Sequence, residues 1–155
     1  MKVKIKLNGG LLPKKQKKGD AAFDLYVPED VDVFYGRGKI DMKFALELPS
    51  EKAAIVQPRS GCSLKGIEIY NPATGETKYM DADVKIGLVD ENYRDNVGTI
   101  LQSRFMPPEG ERWIIRKGSR ISQMRIVDNP SVELVLVETL SVTDRDGGFG
   151  TTGQM

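Results

Sequence analysis

The sequence predicts an all-β fold, because short apolar runs separated by turn residues recur along the chain and no segment shows a sustained helical period. Near the N-terminus, Val3, Ile5 and Leu7 alternate with lysines, which is typical of a half-buried strand. Further strand-like runs lie at residues 22–27, 44–48, 53–57, 97–101, 113–115, 121–127 and 132–137. Many short strands joined by turns favour a sandwich or barrel.

One segment has the pattern of a β-hairpin. Between residues 67 and 80, two short strand-like runs flank Asn71-Pro-Ala-Thr-Gly75, whose Asn, Pro and Gly favour a tight turn. The 155 residues contain no internal repeat or linker, so we expect a single domain with a packed core.

The composition narrows the chemistry that the chain can perform. Its formal net charge of +1 gives no broad basic field, so we expect no nucleic-acid binding. The absence of histidine excludes histidine bases and imidazole metal ligands, and the one cysteine, Cys62, forms no intramolecular disulfide. The sequence shows neither a signal peptide nor a membrane-spanning stretch, so we expect a cytoplasmic protein without membrane contact.

The C-terminal segment Arg145-Asp-Gly-Gly-Phe-Gly-Thr-Thr-Gly153 has the composition of a flap that closes over a nucleotide. Glycines allow close backbone approach and form anion-binding turns, an arginine matches phosphate oxygens, and an aromatic ring offers a face to a base. On composition alone, however, a flexible glycine tail is the favoured interpretation.

A carboxylate is the candidate general base. In Gly87-Leu-Val-Asp-Glu-Asn-Tyr-Arg94, Asp90 follows an apolar pair and precedes Tyr93 by three residues. A carboxylate at a strand end can hold and deprotonate a water molecule, and a nearby tyrosine can pack against a sugar. The segment alone also fits a turn rich in Asp and Asn.

Two segments carry groups suited to phosphate. In Pro58-Arg-Ser-Gly61, Arg59, Ser60 and the backbone amides could bind phosphate or form an ordinary turn. In Gly118-Ser-Arg-Ile-Ser-Gln123, the amide of Gln123 could donate to a phosphate oxygen or lie exposed at the start of a strand.

An acidic residue interrupts an apolar strand. Asp24 lies within Ala21-Ala-Phe-Asp-Leu25, and burying its charge is costly unless the carboxylate is paired or hydrogen-bonded. A backbone group, an arginine, or water bound to a cation could provide that partner.

Taken together and in this order, the five segments closely resemble the five motifs of the trimeric dUTP pyrophosphatase (dUTPase) family. The segments containing Asp24, Arg59, Asp90 and Gln123 are similar to motifs one to four, and the glycine-rich C-terminal segment to motif five. The resemblance extends from about Leu12 to Gly153, nearly the whole chain. Five ordered motifs outweigh the separate interpretations as turns.

The resemblance implies a fold, an assembly and a reaction. The fold would be a jelly-roll-like β domain of the β-clip, dUTPase-like type, spanning residues 1–142, with a mobile C-terminal arm at 143–155 that closes the active site. The chain would form a homotrimer whose active sites are shared between subunits. It would hydrolyse dUTP to dUMP and pyrophosphate with Mg²⁺, limiting uracil in DNA and supplying dUMP for dTMP synthesis.

The resemblance also assigns roles to residues. Asp90 would activate the water that attacks the α-phosphorus, and Tyr93 would pack under the deoxyribose and exclude ribonucleotides. Uracil would be read through backbone groups of a hairpin from Val84 to Leu88, which includes Gly87. The groups near the triphosphate would be Arg59, Ser60, Gly61, Gln123, Arg145, Gly150, Thr151, Thr152 and Gly153, with Phe149 covering uracil and Asp24 near water bound to Mg²⁺.

Some features depart from the family pattern. Asn92, Asp95 and Ser119 stand where other residues are common, and the segment from Arg145 to Gly147 is one residue shorter than in many family members. An insertion of roughly a dozen residues between motifs two and three holds the predicted hairpin at 67–80, which is a possible binding surface for a protein partner.

Two alternative functions remain open. The first is the dCTP deaminase branch of the same fold, although the additional glutamate that deamination needs has no matching segment here. The second is a regulatory protein on the dUTPase scaffold that acts through a bound partner.

Overall fold

The computed structural model describes residues 1–150 and 153, and within them the chain forms thirteen β-strands and one short helix. This confirms the predicted all-β class. The strands are β1 (Lys4–Leu7), β2 (Phe23–Tyr26), β3 (Val31–Asp32), β4 (Gly36–Asp41), β5 (Phe44–Glu47), β6 (Lys52–Pro58), β7 (Ile67–Tyr70), β8 (Thr77–Met80), β9 (Ala82–Lys85), β10 (Gly87–Val89), β11 (Gly98–Ser103), β12 (Ile114–Ile115) and β13 (Arg120–Asp128), and the helix is α1 (Ser60–Lys65).

The strands form four antiparallel sheets. In spatial order these are β10-β6-β13-β2, β4-β11-β9, β3-β12-β7-β8, and the pair β1-β5. The connections cross repeatedly between sheets, because β9, β10 and β11 follow one another in the chain but β10 lies in a different sheet from the other two. The sheets enclose one apolar core to which most strands contribute, including Leu25, Phe44, Leu101, Ile115 and Ile121.

Strand β11 shows how the sequence pattern positions the sheets. Thr99, Leu101 and Ser103 are buried and alternate with Ile100, which is 41% exposed. The hydroxyl of Thr99 lies 2.7 Å from the hydroxyl of Ser122 on β13, so a buried polar contact joins two sheets. Because neither hydroxyl reaches solvent, each depends on the other as its hydrogen-bond partner.

The predicted hairpin at 67–80 is confirmed. Strands β7 and β8 pair antiparallel with Ile67 opposite Met80, and the turn between them is closed by Asn71. The side-chain oxygen of Asn71 accepts from the amides of Ala73 and Thr74, and its backbone carbonyl accepts from the amide of Gly75. Among the described residues, β8 forms one edge of its sheet.

The helix α1 was not predicted, because six residues are too few to show a helical period. It begins directly after Arg59, whose backbone is extended, and ends at Gly66, whose φ is 91°. A β-carbon at position 66 would lie 2.2 Å from the carbonyl oxygen of Met80, so glycine is required where the helix meets the hairpin. Glycine thereby fixes α1 against the end of β8.

The strand predicted at residues 132–137 is wrong for the chain as described. Residues 129–150 contain neither helix nor strand, and their large apolar side chains are exposed, Leu134 by 93% and Leu136 by 99%. The alternating pattern is suited to a strand, but a strand needs a hydrogen-bonding neighbour and this segment has none within the described chain.

The sequence pattern predicts neither β3 nor β4, which belong to two different sheets. Strand β4 carries two glycines and charged residues, and Ile40 is its one buried hydrophobic residue. Without regular apolar alternation the pattern gives no signal for a strand. The pairing of β4 with β11 over six residues determines its conformation instead.

Replacing Ser122 with Ala tests the contact between sheets. We expect the free energy of unfolding to fall by about 1–3 kcal/mol, because Thr99 loses its partner in a buried position. Urea denaturation measures this loss, and Ser63→Ala, at an exposed position of α1, is the control. Stability should recover in part in a Thr99→Val/Ser122→Ala double variant; a single variant as stable as the parent would show that the contact contributes nothing.

Candidate functional site

A row of polar residues crosses the central sheet. In the register of β2, β13 and β6, Asp24 lies opposite Gln123, and Gln123 lies opposite Gln57. Directly opposed residues on paired strands are about 5 Å apart, so these side chains lie in one line. The side-chain amide of Gln123 donates to the carbonyl oxygen of Pro58 at 3.0 Å, which joins the row to the start of the segment at 58–61.

Asp24 is buried and held by two arginines. Its Oδ1 accepts from Nε of Arg59 at 2.9 Å, and its Oδ2 accepts from Arg120 at 3.1 Å. Arg59 also donates to the backbone carbonyl of Arg120 at 3.0 Å. Of the partners that the sequence left open for Asp24, the structure shows arginine, and it ties β2, α1 and β13 together at one point.

The row lines an open cavity of about 290 Å³. Its wall includes Asp24, Arg59, Ser60 and Gln123, so the structure brings together the predicted residues from motifs one, two and four. Ser60, the first residue of α1, is exposed, and so is the neighbouring Gly61. Arginine, serine and glutamine side chains that suit an anion therefore border a space that solvent reaches, together with the carboxylates of Asp20 and Asp24.

A second cavity of about 410 Å³ adjoins Arg59. It is lined by Gly61, Lys65 and Arg120, and by Glu68 and Tyr79 of the hairpin at 67–80. The hairpin is thus one wall of a space next to the arginines. That this hairpin binds a protein partner stays a prediction.

The turn before β13 has a glycine-dependent shape. Gly118 has a φ of 84° and donates its amide to the carbonyl of Val27, while the carbonyl of Ser119 accepts from the amide of Val27. This double contact holds the start of β13 against the end of β2. Arg120 is placed beside Asp24 by that arrangement.

Asp90 and Tyr93 lie elsewhere in the chain. Asp90 follows β10, is exposed, and accepts at its backbone carbonyl from the amide of Tyr93 at 3.1 Å. The hydroxyl of Tyr93 donates to the carbonyl of Asn96 at 3.0 Å, and its ring is 38% exposed. Tyr93 lines another cavity, of about 450 Å³, together with Asn96 and Gly98.

Strand β6 separates the segment of Asp90 and Tyr93 from the cavity lined by Arg59, Ser60 and Gln123. Val89 pairs with Ala54 near one end of β6, whereas Pro58 and Ser60 lie at the other end. Ala54 and Pro58 are four residues apart, which corresponds to about 13 Å along an extended strand. The amide of Glu51 donates to the carboxylate of Glu91, which fixes the segment after Asp90 at the far end. A single chain does not bring Asp90 to Ser60.

The segment from Val84 to Leu88 is not the hairpin that was predicted. Strand β9 pairs with β11, strand β10 pairs with β6, and Ile86 alone connects them. Val84 is buried and packs in the core, so only its backbone can contact a ligand. A strand that leaves one sheet and enters another produces this geometry, and the sequence pattern does not reveal it.

The C-terminal residues do not meet the other motifs in the described chain. Arg145 and Phe149 are exposed, and neither Arg145 nor Gly150 lines the cavities described above. Thr151 and Thr152, two predicted phosphate contacts, lie outside the described residues. The role of the C-terminal segment as a flap therefore stays a prediction.

Comparison with known proteins resolves the family. A dUTPase family profile matches residues 10–153. The chain belongs to the dUTPase family. Deoxyuridine 5'-triphosphate nucleotidohydrolase of Hydrogenobaculum sp. is 36% identical over 92% of this chain and 90% of its own length. The enzyme of that name from Trichodesmium erythraeum is 35% identical over 99% of each chain.

Solved structures of dUTPases share the fold. The dUTPase of Staphylococcus bacteriophage 80alpha with dUPNHPP has a TM-score of 0.79 and 23% identity over 98% of each chain. The D95N mutant dUTPase of phage phi11, described with a structural Mg(II) ion, has a TM-score of 0.73 and 19% identity over 90% of this chain and 98% of its own. The predicted dUTPase-like fold is thereby confirmed.

Two further observations concern metal binding and membrane-spanning helices. Of the described residues, no group of three or more His, Cys, Asp or Glu side chains is arranged to hold a metal ion. Likewise, none of the helices in the described part of the chain is long and apolar enough to cross a membrane.

Cys62 provides a probe of the second cavity. Burial raises the pKa of its thiol, more than the nearby Arg59 lowers it, and Sγ lies 3.6 Å from the carbonyl oxygen of Arg120. Because the thiolate is the reactive form, we expect slow reaction with a chromogenic disulfide reagent at neutral pH. The rate should rise steeply above the usual thiol pKa.

The same reaction in urea supplies the reference rate for an exposed thiol, and Cys62→Ser supplies the blank. Equal rates in the folded and unfolded protein at neutral pH would contradict a protected, neutral thiol.

Proposed function

We propose that this chain hydrolyses dUTP to dUMP and pyrophosphate as a homotrimer whose active sites combine groups from different subunits. The observation that carries the proposal is the separation of Asp90 and Tyr93 from Arg59, Ser60 and Gln123 by the length of β6. Two half-sites with complementary chemistry, too far apart within one chain to act on the same α-phosphorus, form a whole site when copies associate. The family relationship identifies the nucleotide.

The proposed base is Asp90. Its carboxylate is exposed at the end of β10, whose pairing with β6 fixes the direction in which the chain leaves the sheet. A carboxylate so placed accepts a proton from water, and the resulting nucleophile attacks the α-phosphorus while pyrophosphate departs. Tyr93, held by its hydroxyl on the carbonyl of Asn96, would pack under the deoxyribose and exclude the bulkier ribose.

The proposed phosphate site is the cavity lined by Arg59, Ser60 and Gln123. A guanidinium and a hydroxyl beside it suit phosphate oxygens, and the amide of Gln123 exchanges its bond to Pro58 for one to the substrate. Gly61 would contribute its backbone amide. These donors stabilise charge that develops on the phosphates during attack.

We propose Mg²⁺ as the metal. Mg²⁺ prefers oxygen ligands and retains several waters, so a site whose metal is carried mainly by substrate phosphates needs no dedicated cage of protein ligands. The donor set fits this arrangement, because the carboxylate of Asp20, an oxygen donor, lines the phosphate cavity. When bound, the ion offsets phosphate charge. That Asp24 lies near water bound to the ion stays a prediction.

The apolar segment that precedes the C-terminal arm supports the assembly. Val132, Leu134, Leu136, Leu140 and Val142 are each more than two thirds exposed. Soluble monomers rarely expose so contiguous an apolar segment, which marks a contact surface. We propose that residues 129–142 pack on a neighbouring subunit and that the arm at 143–155 closes over bound nucleotide, with Arg145 and Thr151 to Gly153 on phosphates and Phe149 on uracil.

A substrate panel tests the reaction. Pyrophosphate release measured with dUTP, dCTP and the common nucleoside triphosphates should show activity on dUTP alone, and no ammonia should be released from dCTP.

Asp90→Asn should lower kcat by roughly 10²–10⁴-fold, because the amide cannot take the proton of the attacking water. Glu109→Gln, at an exposed acid that lines none of the cavities described above, is the control. Normal turnover by Asp90→Asn would remove Asp90 from the mechanism.

Mixed trimers test the sharing of sites. Asp90→Asn and Arg59→Gln should each be nearly inactive alone, whereas co-refolded mixtures should regain activity, because some sites then combine an intact Asp90 from one subunit with an intact Arg59 from another. Light scattering should give three times the 17.2 kDa chain mass. Mixtures that show only the sum of the separate activities would mean that each site is built within one chain.

A further inference from the structure

We propose that Arg120 is a second guanidinium that binds the triphosphate, and that Asp24 is the positioning residue that holds Arg59 and Arg120 for this purpose. The inference deepens the proposed function and rests on it. Arg120 is absent from the site residues predicted by sequence, although it lies inside the fourth motif. Asp24 was expected near metal-bound water, and its contacts support a different role.

The geometry has a buried anion and two outward cations. The side chain of Asp24 is 10% exposed, whereas those of Arg59 and Arg120 are 27% and 41% exposed. Each carboxylate oxygen binds one guanidinium, at 2.9 and 3.1 Å. The carboxylate thus fixes both side chains at their inner edge and leaves their outer edges toward solvent.

The charges do not cancel. One carboxylate faces two guanidiniums, so the cluster carries excess positive charge beside an open space. Within the described residues, Arg120 uses one of its nitrogen atoms in these bonds, and the others remain available as donors. A structural ion pair alone does not need the second arginine, whereas an anion-binding pair does.

The position of the pair suits a chain of phosphates. Arg59 lines both the cavity that contains Ser60 and Gln123 and the adjoining cavity that contains Lys65 and Arg120. The acid in the second cavity, Glu68, is bound to Arg116 at 2.7 Å, which neutralises it. Cationic side chains therefore continue from Arg59, which borders both cavities, to Lys65 and Arg120 in the second, as a triphosphate requires when one end lies against Ser60.

Arg120→Gln tests this directly. We expect the Kd of the non-hydrolysable analogue dUpNHpp, measured by calorimetry, to rise roughly 10- to 100-fold, because a charge-assisted hydrogen bond is lost. The Kd of dUMP should change by less than about twofold, since dUMP lacks the outer phosphates. Arg120→Lys should restore part of the affinity, as a point charge without the planar fork.

Asp24→Asn tests positioning. It should weaken dUpNHpp binding in the same direction, and Asp24→Glu should recover part of the loss. In a double variant, Asp24→Asn should add little to Arg120→Gln, because the two residues act through one unit. The Mg²⁺ concentration for half-maximal activity, measured at saturating nucleotide, should stay unchanged. A selective rise in that concentration would assign Asp24 to metal-bound water and overturn its positioning role.

Controls separate binding from folding. Arg112→Gln removes a comparable exposed ion pair, with Asp32 at 2.8 Å, and should leave every Kd unchanged. Circular dichroism and thermal unfolding report whether each variant folds, and if Asp24→Asn does not, Arg120→Gln still decides the proposal. Unchanged analogue binding by folded Arg120→Gln, or equal losses for dUMP and the analogue, would refute it.

A binding experiment without dUTP distinguishes failure of this inference from failure of the proposed function. If the parent protein does not hydrolyse dUTP, binding of inorganic pyrophosphate still reports on the arginine pair. Weaker pyrophosphate binding by Arg120→Gln than by the parent would then support the pair as an anion site, and equal binding would refute it.

Discussion

The pairing of β6 with β13 on one side and β10 on the other determines which functional groups meet. Because β13 is paired in register with β6 and β2, Gln123 is placed between Asp24 and Gln57, and Arg59 emerges beside them. Because β10 pairs with the opposite half of β6, Asp90 emerges at the other end. One extended strand therefore assembles the proposed phosphate site and separates it from the proposed base.

The rest of the molecule is consistent with a chain that completes its site by association. In the proposed homotrimer, neighbouring copies would both cover the apolar segment, which has no pairing strand within the described residues, and join the two half-sites. The cost of leaving Leu134 and Leu136 in water is removed when they are covered, and each covered leucine contributes about 1.5–3 kcal/mol. Catalytic assembly and stability are then coupled, because the contact that brings half-sites together also buries the exposed apolar surface.

The sequence predicted the elements that have a regular apolar pattern. Strands β6, β11 and β13 combine buried alternation with β-branched residues and were found at nearly their observed bounds. Strand β4 was missed because its glycines and charges give no period, and α1 because it is one and a half turns long. The segment at 132–137 has a strand-like apolar pattern but no pairing strand within the described residues, so local pattern and observed conformation disagree there.

The site residues were predicted from family motifs and not from apolar patterns. Asp24, Arg59, Ser60 and Gln123 were identified by their resemblance to family motifs, and strand register then brought them to one cavity. The sequence does not predict Arg120 as a site residue, although it lies inside the fourth motif. Spacing along a strand does not show that a turn at Gly118 directs the Arg120 side chain to a carboxylate on another strand. Contacts between distant segments depend on sheet order, which sequence patterns do not encode.

The insertion at 67–80 is joined to this site by covalent and packing constraints. Gly66 connects α1 to β7 without space for a side chain, because it packs against the carbonyl of Met80, and this contact joins the hairpin to the helix that begins at Ser60. Tyr79 and Glu68 line the same cavity as Arg120 and Lys65. A contact that displaced the hairpin would therefore change one wall of the cavity that contains Arg120, next to the proposed phosphate site.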